Sequence, residues 1–146
     1  MNKYDRHIRS LARKYRVTIK FDAKNTDGCY ASPFHREVHT LPVKSPYSYV
    51  IALHEIGHVL SQSKKWMIEN IYHILSHNTG KEKVTRFQME TERKAWLKAK
   101  KLGKWWTARM TVISVDQMAR YIYEWEISWK TKMGMKEAMY YLLPRK

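Results

Sequence analysis

At 146 residues the chain has the length of a single domain and can bury about 68% of its unfolded surface, so no disulfide framework is needed. One cysteine, Cys29, excludes an intramolecular disulfide and fits a reducing cytosol, and no apolar run approaches the ~18 residues of a membrane span. Lys and Arg total 28 against 13 acidic residues; the resulting +15 predicts attraction to polyanions and leaves the fold undecided.

The N-terminus, M-N-K-Y-D-R-H-I-R-S, carries charge with no apolar core after it, so no signal peptide is expected and the cytoplasm is the expected location. Tyr4, Ile8, Leu11, Ala12 and Tyr15 recur at helical spacing, with Arg6, Arg9, Arg13 and Lys14 off that stripe. An amphipathic first helix follows. Val17, Ile19 and Phe21 alternate with Thr18 and Lys20, the period of a half-buried strand. Asn25 to Gly28 reads as a turn. Cys29 to Ser32 and Arg36 to Leu41 read as two further short strands separated by Pro33, and Pro42 and Pro46 close the sheet region.

Ser45-Pro46 offers a cap and a first-turn proline for a helix that includes Val50 to Leu60. Trp66 to Ser76 reads as a helix ended by Asn78-Thr79-Gly80. Val84 to Leu102 is the clearest long helix downstream, stopped by Gly103, with Lys98, Lys100 and Lys101 placed to favour its dipole. Ser114 to Gln117 resembles a capping box and predicts a helix start, running to about Lys130. A short helix over Lys136 to Leu143 is ended by Pro144. The expected fold is α+β: an N-terminal helix, a short three-stranded sheet, then a helical C-terminal half. It forms one domain over 1–146, with helix, sheet and motif helix in 1–63 and the helical part in 64–146.

The motif is V-I-A-L-H-E-I-G-H-V-L, in which His54, Glu55 and His58 spell H-E-x-x-H. Helix positions four apart share a face, so His54 and His58 can grip one metal ion while Glu55 projects beside it. Two imidazoles and a general base on one turn are the pattern of a zinc hydrolase. At ~100° per residue, Ala52, Leu53, Ile56, Val59 and Leu60 fall on the side opposite the histidines. Gly57, costly in mid-helix, predicts close approach of a neighbouring backbone.

A catalytic zinc site usually has three protein ligands and one open position. On the long downstream helix, Met89, Glu92, Ala95, Trp96, Ala99 and Leu102 form one stripe, with Glu92 in the middle of it. A buried carboxylate wants a cation, and zinc is the natural one. Glu90 lies nearly opposite and should be solvated. His73 and His77 are rivals, also four apart but without the intervening glutamate. Glu126 is another, inward-facing beside Trp125 and Trp129, and could orient a ligand from behind.

H54-E-I-G-H58 and E92-R-K-A95, together with the order of elements over roughly Ile8 to Ala99, resemble the small gluzincin-type zinc metallopeptidases of the ImmA/IrrE kind. The resemblance implies a zincin-like domain with His54, His58 and Glu92 as zinc ligands and Glu55 as general base. It also implies intracellular protein substrates, often DNA-bound repressors. Where that family commonly has asparagine or aspartate after the alanine, this chain has Trp96.

On this reading zinc lowers the pKa of a bound water and polarises the scissile carbonyl. Glu55 accepts the water's proton and delivers it to the leaving amine. His73, His77 and Tyr72 are candidate donors to the oxyanion. Lys98 to Arg109 interleaves cations with aromatics, and Lys98, Lys101, Lys104, Trp105, Trp106 and Arg109 are candidate non-specific nucleic-acid contacts. The plainer reading, a lysine-rich helix end followed by two core tryptophans, has the stronger claim. The functional expectation is a zinc metallopeptidase acting on a protein or peptide, with no membrane partner. The alternatives are a basic nucleic-acid-binding module with a structural or inert core, and zinc-assisted hydrolysis of another bond. Nothing in the sequence marks an oligomeric state.

Overall fold

The structure, a computed structural model, describes the backbone of residues 1–75 and 81–126 and the side chains of residues 1–69 and 88–120. Among the described residues the fold is α+β, with five α-helices and one small sheet. Helix α1 (Lys3–Tyr15) is capped by Asn2, whose side chain accepts the Asp5 N–H at 2.9 Å. Its stripe buries Ile8, Leu11 and Ala12. Arg16 ends it at φ 55°, and Arg36 donates to the Tyr15 and Arg16 carbonyls at 2.5 and 3.4 Å.

Strands β1 (Thr18–Lys20), β2 (Tyr30–Ser32) and β3 (Glu37–His39) form a mixed sheet in the order β1-β3-β2. β1 runs parallel to β3, with Ile19 against Val38; β2 runs antiparallel, with Ala31 against Val38. All three are shorter than the alternation predicts. The turn between β2 and β3 consumes Pro33 to Arg36, closed by the Arg36 N–H to the Pro33 carbonyl at 3.2 Å. Pro42, lacking an N–H, limits extension of β3 on the other side.

Helix α2 (Pro46–Ser61) carries the motif and is the centre of the molecule. Ser45 accepts the Ser48 N–H at 3.2 Å while the Ser48 hydroxyl accepts the Ser45 N–H at 3.0 Å, and Pro46 stands in the first turn. Tyr49, Val50, Leu53, Ile56 and Val59 are all buried, so this helix is enclosed on most sides.

α3 (Lys64–Leu75) leads to α4 (Lys81–Leu102), whose last turn is closed by the Gly103 N–H on the Ala99 carbonyl at 2.9 Å. α2 and α4 meet closely at Gly57, where a Cβ would stand 2.3 Å from the Ala95 carbonyl oxygen. That is the close approach which the mid-helix glycine predicted.

α5 (Ala108–Glu126) corrects the expected start at Ser114. Thr107 caps this helix instead, its hydroxyl accepting the Met110 N–H at 3.3 Å. Ser114 is buried within the helix and donates back to the Thr111 carbonyl at 2.7 Å. The expected turn at Asn78 to Gly80, the helix end at Lys130 and the helix over Lys136 to Leu143 lie outside the described residues. Among the described residues no helix is long and apolar enough to cross a membrane.

Candidate metal centre

Four i→i+4-spaced or stripe-spaced side chains from two helices converge on one point. α2 presents His54 and His58 with ring centroids 4.5 Å apart. From α4, the Glu92 carboxylate reaches both, Oε2 at 2.8 Å from His54 Nε2 and Oε1 at 3.0 Å from His58 Nε2. Glu55 is buried, with Oε1 3.4 Å from His54 Nδ1. The candidate ligand atoms of His54, Glu55 and His58 lie within 4.8 Å of one another, a cluster that could hold a metal ion.

Two separate features of α4 produce this convergence. Ala95 against Gly57 sets how close and at what height the helices cross. Glu92 then lies three residues earlier, on the same α4 face. Trp96, one residue on, stacks flat on the His54 ring at 3.9 Å between centroids and 6° between planes. Trp66 on α3 donates from Nε1 to the buried Thr91 hydroxyl at 2.9 Å, which ties α3 to α4 beside Glu92.

The charges show what the arrangement wants. Burial alone would lower the His54 pKa, but the Glu92 carboxylate, with Glu55 beside Nδ1, raises it from 6.5 to about 10. Burial would likewise raise Glu92, yet the His58 and His54 imidazoles hold it well below the usual carboxylate range. A proton held on His54 thus satisfies a buried carboxylate. A divalent cation would satisfy the same carboxylate and accept the nitrogen lone pairs instead.

The donor set fits such an ion. Two imidazole nitrogens and a carboxylate oxygen suit zinc, whose tetrahedral ligands at ~2.0–2.1 Å stand roughly 3.3 Å apart. The observed 2.8 and 3.0 Å separations need to open only by a few tenths of an ångström.

The cluster lies in a groove of about 490 Å³, whose walls include Tyr30 and Ala31 of β2, Tyr47, Gln88, Thr91 and Gln117. Cys29 also lines it, half-buried. Tyr47 braces the groove: its hydroxyl is 2.7 Å from the Thr26 hydroxyl and accepts from Gln117 Nε2 at 3.4 Å. No sequence pattern marks Tyr47 or Gln117 as a groove residue, because their contacts join segments 21 and 70 residues apart.

The other candidates divide. Tyr72 and His73 fall on α3 and Glu126 ends α5, but their side chains lie outside the described set, as does His77 entirely. Lys101, Lys104 and Arg109 are exposed and Lys98 is half-buried. Trp105 packs against Tyr4, His7 and Tyr49, and Trp106 donates from Nε1 to the Thr111 hydroxyl at 2.8 Å. Both tryptophans are packing residues, as the plainer reading expects.

Comparison with protein-family models, with curated proteins and with solved structures finds no match to this chain. What stands on the geometry is an α+β protein whose central helix carries a His-Glu-His cluster able to hold a metal ion.

Proposed function

We propose that this protein is a zinc-dependent metallopeptidase that hydrolyses peptide bonds of an intracellular protein, with the zincin-like layout its ImmA/IrrE resemblance implies. The observation that carries the reading is the Glu92 carboxylate, delivered by a second helix onto the Nε2 atoms of both motif histidines. His54, His58 and Glu92 would hold the ion. When bound, zinc supplies a Lewis acid and a water of lowered pKa.

The remaining work belongs to the chain. Glu55, buried beside His54 and open to the groove, accepts the proton of the attacking water and returns it to the leaving amine. The groove supplies room for an extended peptide between β2 and the α4–α5 side. A structural zinc site is normally closed by four ligands, so a three-donor set beside a groove favours catalysis over a structural or inert core.

Elemental analysis and a peptidase assay on a denatured protein substrate test this. Wild type should carry about one zinc per chain; Glu55→Gln should keep the zinc and lose at least ~10³-fold in kcat, while His54→Ala should lose the metal. A metal-free wild type, or hydrolysis that survives Glu55→Gln, overturns the proposal.

A further inference from the structure

We propose that the exposed side of α1, together with the turn after α4, is a docking face for the phosphate backbone of duplex DNA, formed by Lys3, Arg6, Arg13, Lys14 and Lys104. All five are exposed. At ~100° per residue the four on α1 fall within an arc of about 100°. Asp5, the one acid of α1, does not share it. Asp5 pairs with Arg9 at 3.1 Å on the other flank, where Arg9 also lies 4.5 Å over the Phe21 ring. Helix α1 therefore neutralises one side and leaves the other purely cationic.

The second segment adds to the same side. The Lys3 and Lys104 ammonium groups both lie over the Trp105 ring, 5.0 and 5.3 Å from its centroid. No acidic residue occurs between Glu92 and Asp116 to offset Lys104 and its neighbours Lys100 and Lys101. His7, wedged between the segments, has its pKa lowered by burial and then by Lys104, as a local positive field requires. Gathering like charges is unfavourable in water and is relieved by a polyanion.

The geometry selects a duplex over a single strand. Strand binders stack bases on exposed aromatic faces. Here Trp105 is half-buried against Tyr4, His7 and Tyr49 with Lys3 and Lys104 over its ring, and Trp106 is half-buried with its Nε1 held by Thr111, which leaves little free ring face for a base. Backbone contacts remain. Lys3 to Lys14 spans ~16 Å at 1.5 Å per residue, the axial rise of about five base pairs of B-DNA.

The face is also separate from the metal centre. The Tyr49 hydroxyl takes the Lys104 N–H at 3.2 Å and lies 2.6 Å from His7 Nδ1. Tyr49 precedes His54 by five residues, ~140° around α2. Bound DNA would leave the groove free, so the contact does not depend on the peptidase reading.

Fluorescence anisotropy with a labelled 20-base-pair duplex of arbitrary sequence, from ~50 to 200 mM salt, tests the face. Wild-type log Kobs should fall against log salt with a slope of about −4. Lys3→Gln/Lys104→Gln and Arg6→Gln/Arg13→Gln should each weaken binding about tenfold and flatten the slope by about 2. Lys64→Gln/Lys65→Gln on α3, an exposed pair elsewhere, should stay within about twofold, and Glu55→Gln should bind like wild type. Circular dichroism matching wild type separates a lost contact from a lost fold. The proposal is overturned by no binding at the lowest salt, by equal losses in the α3 pair, by tighter binding of a single strand or an RNA duplex, or by loss of binding in Glu55→Gln.

Discussion

Trp96 does for the His54 ring what a hydrogen bond does in many metal sites: it fixes the plane. It is buried and lies flat on that ring, while Glu92 on the same helix holds Nε2. The family resemblance expects a polar side chain here, and Glu55 is the group that stands near His54 Nδ1. Replacing Trp96 by Leu should free the ring to turn and weaken zinc binding by about 10–100-fold, whereas Phe should keep most of the stacking and most of the affinity. Competition against a chromophoric chelator measures both, and the absorption spectrum of the cobalt form reports ligand geometry independently of activity. A Leu variant with wild-type affinity and an unchanged cobalt spectrum would falsify this role. Periodicity placed Trp96 and Glu92 on one stripe, but which α2 residue each would meet was fixed only by the crossing of the helices.

At the scale of elements that crossing rests on Gly57. Helix propensity alone makes Gly57→Ala stabilising by roughly 1 kcal/mol. Packing says the opposite, because the new Cβ would stand 2.3 Å from the Ala95 carbonyl oxygen, a backbone atom that moves only with its helix. Strain of that kind costs about 1–3 kcal/mol, and pushing α4 outward also withdraws Glu92 from the histidines. Gly57→Ala should therefore lower the urea midpoint and weaken zinc binding together; a rise in the midpoint would show that propensity wins. The elements themselves were readable where the signal was local. Ser45, Pro46 and the motif define α2 from sequence because cap, proline and candidate ligands all lie within one short stretch. The sequence misplaces the start of α5 because Ser114 to Gln117 imitates a cap, while the acting cap, Thr107, follows two tryptophans that look like core. The strands, three residues each, are near the limit at which alternation can define an end.

Across the whole molecule the proposed metal centre would clamp α2 to α4, so ion binding should be felt as global stability. A ligand bound only by the folded state contributes about 2.7 kcal/mol when free ligand stands at 100 times its Kd. For a chain of this length that is a rise in Tm of roughly 5–10 °C. The pH dependence follows from the same groups. Raised to about 10, the His54 pKa gives the pair with Glu92 a stability that is fully present below 6.5 and lost as pH rises towards 10. Glu92, held low, contributes above its ordinary 4.5 and loses that contribution on acidification. With chelator present, the pair should thus be worth most between these two ordinary values. Zinc held as proposed would act in the other direction, because it would have to displace the His54 proton, so its contribution should grow with pH. Differential scanning fluorimetry with excess zinc or excess chelator should give a Tm gap that is larger at pH 8 than at pH 6. Glu55→Gln, which keeps all three proposed ligands, should preserve that gap, and His54→Ala should abolish it. A gap that is independent of pH, or that persists without His54, would place the ion somewhere other than between these two helices.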